Sequence, residues 1–288
     1  MLPVLLLIAL GAVQAGALAV SISVRARSVA PSEPVRIDVV SPRPLESLRG
    51  EFLGKSVFFV RSSAREGSET WSGWAMVGLD EPAGPAAIEV QGRTTTGEEV
   101  LGSHAVSVEA RKFPEEKLLV APKYVEPPKE VQERLAQERK TLAKVYESRK
   151  PEIPSGRPFV RPVDGDSTSI FGTRRVFNGK PRSPHSGLDL RAATGTPVKS
   201  SGPGEVTYAG DLYYSGNTVI VDHGAGLFTI YAHLSELRVQ VGDTAKTGQV
   251  LGLSGATGRV TGPHLHWGAK IGNRPFDPAA LLDPALFR

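Results

Sequence analysis

The sequence predicts a mostly β protein, built as two β regions joined by a charged helix. Three observations predict it. Segments near the N-terminus alternate apolar and polar residues with period two. A charged segment with near-helical apolar spacing follows, bracketed by prolines. From Gly156 onward the chain is rich in glycine and short strand-like runs, with no long helical pattern.

The chain opens with Met1-Leu2-Pro3-Val4-Leu5-Leu6-Leu7-Ile8-Ala9-Leu10 and then small residues. That run is too short to span a bilayer comfortably, and Ala17-Leu18-Ala19 fits a small-residue cleavage site. The usual basic n-region is missing. Residues 1–19 are therefore expected to be a secretory signal. It would direct the chain to the periplasm or cell envelope, and would be either cleaved or kept as a short membrane anchor. There are no cysteines, which excludes disulfides, cysteine-type zinc sites, thiol nucleophiles and a lipidated N-terminal cysteine.

Residues 20–112 read as strands. Val35-Arg36-Ile37-Asp38-Val39 alternates as a half-buried strand does, and Ser56-Val57-Phe58-Phe59-Val60 and Ala87-Ile88-Glu89-Val90 are similar. Frequent Pro, Gly and Ser between them suggest a small Ig-like β-sandwich. His104 is isolated there, and no catalytic cluster accompanies it. Residues 113–155 read as a linker. Val131, Leu135, Leu142 and Val145 give Lys129 to Lys150 an amphipathic helical spacing, and Pro151 and Pro154 close it. Residues 156–288 read as a compact antiparallel β domain. Its expected strands are 204–209, 217–222, 228–232 and 249–253, with glycines at the turns.

Net charge is +4, and residues 156–288 carry all of it, with 14 Lys+Arg against 10 Asp+Glu. A modest excess of this kind suits an anionic partner. No basic stripe with interleaved aromatics occurs, so nucleic acid is not expected.

The chemistry concentrates in few residues. Six histidines occur, and three of them fall in His185-Ser186-Gly187-Leu188-Asp189 and His264-Leu265-His266. Side chains at i and i+2 of a strand share a face, with Cα atoms about 7 Å apart at a rise of roughly 3.3 Å per residue. One imidazole of the His264/His266 pair can then bind a metal while the other does acid–base work in the same cleft. His185 and Asp189 would lie about 13 Å apart on an extended strand, too far for one ion. A bend at Ser186-Gly187 is needed to bring them together. Two His and one Asp with an open fourth position form a catalytic rather than a structural zinc set. His233, in Ile230-Tyr231-Ala232-His233-Leu234, either joins the site or is a satisfied buried histidine. His223 is expected in a turn or behind the ligands.

These segments resemble the M23 metallopeptidases, the LytM/lysostaphin-type peptidoglycan endopeptidases. The likeness runs from about Phe159 to the C-terminus. It is carried by His185-x-x-x-Asp189, Tyr231-Ala232-His233-Leu234 and Thr261-Gly262-Pro263-His264-Leu265-His266. Softer signals are Ser169-Ile170-Phe171-Gly172-Thr173-Arg174, Gly195-Thr196-Pro197-Val198, Gly242-Asp243 and Gly255-Ala256-Thr257-Gly258. The resemblance implies a duplicated-hybrid-motif-like β fold and one zinc ion held by His185, Asp189 and His266. It also implies His264 as general base and His233 as transition-state stabiliser. Trp267 stands where such proteins often have Phe or Tyr.

The implied substrate is the peptide cross-link of peptidoglycan. The alternative is a non-catalytic wall-binding or amidase-activating protein of the same fold, and a third reading is a zinc peptidase acting on ordinary protein. Arg174, Arg175 and Arg182, with Lys180 among them, precede His185 and are expected to meet wall-peptide carboxylates. The N-terminal sandwich would bind wall, position the enzyme or cover the cleft, and a regulatory partner is left open.

Overall fold

The structure is a computed structural model that describes residues 17–65, 67–154 and 159–287. The expected signal segment lies outside the described residues except for 17–19. Of these, Leu18–Ala19 forms a short edge strand parallel to Val100-Leu101. Among the described residues no helix is long and apolar enough to cross a membrane.

The N-terminal region is a two-sheet sandwich. One sheet orders Leu18–Ala19, Glu99–Val108, Gly84–Thr94, Leu45–Phe52 and Lys55–Val57. The other orders Ser21–Arg25, Pro34–Ser41, Ser68–Met76 and Phe59–Arg65. Val35, Ile37 and Val39 enter the core between the sheets with Phe52, Phe59 and Ile88, as the period-two pattern predicts. The strand is not half-buried, however, because Arg36 and Asp38 are buried too. Their face packs on the C-terminal domain. Arg36 binds Asp38 at 3.2 Å and donates to the Pro154 carbonyl at 3.1 Å. Trp74, across from Arg36, meets Phe287 at 6.1 Å. Arg27 bridges the two regions by donating to Asp277 at 2.7 Å. The expected strand over 56–60 is interrupted at Phe58, which lies between Lys55–Val57 and Phe59–Arg65.

The linker is more structured than expected. Glu115–Leu118 is a strand that pairs in parallel with Arg174–Phe177 of the C-terminal domain. The charged segment folds as a short 3₁₀ turn, Lys129–Val131, and the α-helix Gln132–Val145. Leu142 and Val145 pack with Tyr146 against Ile220 and Phe228, so the helix rides on the sheet instead of spanning open space.

The C-terminal domain is one large antiparallel sheet. Its order is Ser167–Ser169, Gly187–Arg191, His264–Ile271, Leu227–Leu237, Gly216–Asp222, Gly204–Leu212 and Thr244–Ala245. Val250–Ser254 pairs with both Leu227–Leu237 and Pro197–Lys199. All four strands expected in this region are present. Leu190, Leu227, Tyr231, Leu265 and Trp267 pack one face of the sheet. The 3₁₀ turns Pro278–Leu282 and Pro284–Leu286 cover it with Leu281 and Leu286. Burying each such side chain contributes roughly 1.5–3 kcal/mol.

His223 is part of this core. Its Nδ1 lies 2.6 Å from the Pro203 carbonyl and its Nε2 lies 2.7 Å from the Thr229 hydroxyl. The carbonyl can only accept, so Nδ1 carries the proton and the neutral ring is satisfied on both sides. Burial pushes its pKa down to about 4 from an ordinary 6.5, against the opposing hydrogen bond to Pro203. Below pH 6.5 the unfolded chain therefore takes up the proton first. Stability falls as pH drops from 6.5 toward 4, by roughly 3 kcal/mol for this group, and levels off below that. Urea unfolding of the metal-free protein across this range checks it. The His223→Gln variant has a shallower pH slope than the parent; equal slopes contradict the assignment.

Candidate active site

Two adjacent antiparallel strands build the site. Gly187–Arg191 pairs with His264–Ile271 so that Asp189 lies directly opposite His266, Leu188 opposite Trp267 and Leu190 opposite Leu265. The apolar residues fill the core face, and alternation leaves Asp189, His264 and His266 facing the cleft. A one-residue slip would invert both sets, so burial of Trp267 and Leu265 pins the register of the polar residues.

His185 precedes the strand. Its backbone N–H donates to the Thr173 carbonyl at 2.9 Å, and its own carbonyl accepts from Gly172 N–H at 2.8 Å. The chain passes close to His266 at Gly187, where a Cβ would lie 2.6 Å from His266 Cε1 and 2.6 Å from the Trp267 carbonyl oxygen. Glycine is required for that approach. His185 Nε2 thereby comes within 2.9 Å of Asp189 Oδ1 and 3.1 Å of His266 Nδ1. Asp189 Oδ1 and His266 Nδ1 are 2.8 Å apart. Around a tetrahedral zinc with bonds of about 2.0 Å, ligand atoms sit about 3.3 Å apart. The triad thus needs only a slight opening to accept the ion. Its two imidazole nitrogens and one carboxylate oxygen are a borderline-soft donor set that fits zinc.

Groups behind the ligands hold them. His185 Nδ1 lies 3.0 Å from the Ile170 carbonyl, which fixes its proton there and leaves Nε2 for the metal. Arg175 Nη2 donates to Asp189 Oδ2 at 2.7 Å, leaving Oδ1 to the histidines. Glu116, from the upstream strand, lies 3.6 Å from Arg175 Nε. Burial alone would raise the Asp189 pKa. The adjoining imidazoles of His185 and His266 outweigh it and hold the carboxyl well below the usual carboxylate range. Burial pushes His185 down to about 4 despite the carboxylate of Asp189 beside it, so its lone pair is free at neutral pH.

Two further imidazoles face the triad. His264 Nδ1 lies 2.8 Å from the Gly262 carbonyl, and its Nε2 lies 3.7 Å from Asp189 Oδ1. His233 Nδ1 lies 2.8 Å from the Thr257 carbonyl, and its ring centroid is 4.9 Å from that of His264. Carbonyls only accept, so each neutral ring is protonated at Nδ1 and basic at Nε2. His233 adopts φ 64°, in the left-handed region, where the pairing of Leu227–Leu237 with Gly216–Asp222 shifts register. Such a backbone costs on the order of 1–3 kcal/mol, and here it accompanies the turn of the side chain into the cleft. Burial, then the nearby His266 and His264, push its pKa down to about 3.

The five residues expected in the site therefore converge on one cleft of roughly 790 Å³. The arginines divide. Arg182 lines the cleft, with Nη2 donating to the Val125 carbonyl at 2.8 Å. Arg175 lines it too, but its charge is committed to Asp189 and Glu116 in place of the expected substrate contact. Arg174 is not among the lining residues and pairs with Asp80 at 3.1 Å. Sequence reasoning missed Arg259 and the upstream residues Glu116, Leu118 and Val120, which also line the cleft. For Arg259 the available signal was a lone cation between Gly258 and the Thr261-Gly262 turn.

The model of peptidase family M23 matches residues 183–278. A Pseudomonas aeruginosa structure assigned to peptidase M23 is 31% identical, covering 91% of this chain and 97% of that one with a TM-score of 0.66. The chain belongs to peptidase family M23. Among curated proteins it is similar to peptidoglycan DD-endopeptidase ShyA of Vibrio cholerae, 44% identical over 41% of this chain and 29% of the relative. It is also similar to cell division protein DipM of Caulobacter vibrioides, 41% identical over 46% of this chain and 22% of the relative. The matched region thus spans less than a third of either curated relative.

The M23 site yields a steric prediction. In Gly187→Ala the new methyl meets the Trp267 backbone, which cannot yield, and pushes His266 off its position. Zinc affinity, measured by competition with a chelator, falls roughly tenfold or more. An unchanged affinity would show that Gly187 is not needed for ligand placement.

Proposed function

We propose that the protein is an exported zinc-dependent endopeptidase that hydrolyses peptide cross-links of bacterial peptidoglycan. One observation carries the reading: three ligand atoms within 3.1 Å of one another share a cleft with two more imidazoles whose Nε2 atoms are unengaged by the backbone. A protein that only binds wall has no use for that second pair. Membership of M23 and the name of the Vibrio cholerae relative support the wall peptide as substrate.

His185 Nε2, His266 Nδ1 and Asp189 Oδ1 would hold the metal. Zinc, when bound, supplies Lewis acidity that makes water deprotonate near neutral pH. His264 takes the water's proton at Nε2 and returns it to the leaving nitrogen, with its ring oriented through the Gly262 carbonyl. His233 stands beside it and donates to the developing oxyanion once Nε2 carries a proton. Burial keeps His233 neutral at rest, and Nε2 takes its proton from solvent as the negative charge developing beside the ring raises its affinity for one.

The two histidines of one strand then have separable roles. On purified sacculi, zinc-loaded wild type releases cleaved cross-links. His264→Ala keeps stoichiometric zinc and loses roughly 10²–10⁴-fold in turnover, whereas His266→Ala loses the metal. Equal zinc retention by both variants contradicts the division. Wild type that binds zinc yet releases nothing supports the non-catalytic reading.

A further inference from the structure

Four arginines line the cleft, and among the described residues the side chains of two, Arg191 and Arg259, form no hydrogen bond or ion pair within 4.0 Å. Arg191 is exposed to solvent, whereas Arg259 is largely withdrawn from it. The Arg259 guanidinium lies 4.8 Å from the Tyr214 ring centroid and 4.9 Å from that of Phe177. Stacking on aromatic rings engages the faces of the guanidinium plane, while its N–H donors point outward in that plane. Those donors suit a bidentate carboxylate. The group is mostly buried, and the neighbouring charges of Arg175 and Arg182 add to its positive surroundings. Asp189 and Glu116 are taken by Arg175, so neither neutralises Arg259. Leaving a desolvated cation without a counter-ion is costly, which makes the position informative.

The location is equally specific. Thr257, two residues earlier, supplies the carbonyl that orients His233. Arg259 therefore lines the same cleft as both free imidazoles. We infer that Arg259, held against the rings of Phe177 and Tyr214, is a carboxylate-binding subsite that recognises a free carboxylate beside the scissile bond of the wall peptide. This rests on the endopeptidase reading above. In a D-alanyl–diaminopimelate cross-link, the carbon bearing the scissile nitrogen carries such a carboxylate. In amidated walls the same position is a neutral carboxamide, which offers one acceptor instead of two and no charge.

Two cross-linked peptide dimers, identical except that this carboxyl is free or amidated, test it. Zinc-loaded wild type favours the free acid roughly tenfold to a hundredfold in kcat/KM, chiefly through KM. Arg259→Gln brings the acid-to-amide ratio to about one, and Arg259→Lys keeps part of it because the charge remains without the fork. Zinc content and melting temperature are measured alongside to separate recognition from misfolding. Equal use of both dimers by wild type, or an unchanged ratio in Arg259→Gln, overturns the subsite and leaves the peptidase reading standing. Calorimetric binding of the same dimers to zinc-loaded His264→Ala, with and without Arg259→Gln, reads recognition without turnover. If wild type cleaves neither dimer, the peptidase reading fails, and this titration still decides the subsite: preference for the acid that vanishes with Arg259 supports it, and equal binding overturns it.

Discussion

The cross-strand pairing of Asp189 with His266 is the constraint on which the site depends. Both side chains project from one face of two hydrogen-bonded strands, while Leu188, Leu190, Leu265 and Trp267 are buried on the other. The hydrophobic effect thereby sets the register, and the register sets the ligand geometry. Two hydrogen-bonded strands change position only together, so the sheet itself holds the carboxylate and imidazole at their spacing. Only His185 comes from outside this pair, and it is held by backbone bonds to Gly172 and Thr173 and by the contact with Ile170.

The working side of the cleft is assembled differently. His233 needs a left-handed backbone at a register shift, and its partner carbonyl, Thr257, comes from a separate loop. The upstream segment adds Glu116 behind Arg175 and lays Leu118 and Val120 along the cleft wall. Asn178 ties this segment down by accepting from Val120 N–H at 3.0 Å and donating to its carbonyl at 2.9 Å. The chain that joins the two β regions is therefore part of the site's surroundings, and the packing of Trp74 on Phe287 places the sandwich against the same domain.

Much of this was legible in the sequence for local reasons. Period-two alternation located the strands, and His264-Leu265-His266 announced two imidazoles on one face because that relation needs only strand geometry. The need to bring His185 back toward Asp189 followed from distance alone; Gly187 is already in the strand, and its part is to lack the Cβ that would meet His266. What could not be read was non-local. Arg175 was expected to face substrate, yet its partner Asp189 is set by the fold of the segment between them. Arg174 was expected beside it, but its neighbour on the other face is Asp80 of the sandwich. The burial of Arg36 and Asp38 depends on domain packing that the alternation of one strand does not encode. Arg259 gained meaning only from the rings of Phe177 and Tyr214, which the fold brings against it from distant parts of the chain.

The most direct test of the account is X-ray absorption at the zinc edge of the zinc-loaded protein. One zinc per chain is predicted, with two imidazole nitrogens and one carboxylate oxygen from the protein at about 2.0–2.2 Å and a non-protein oxygen completing the shell. The imidazole count should stay at two when His264 or His233 is replaced by alanine. A shell of three or four imidazoles, or one that loses an imidazole with either replacement, would contradict the separation of metal-holding from proton-moving histidines.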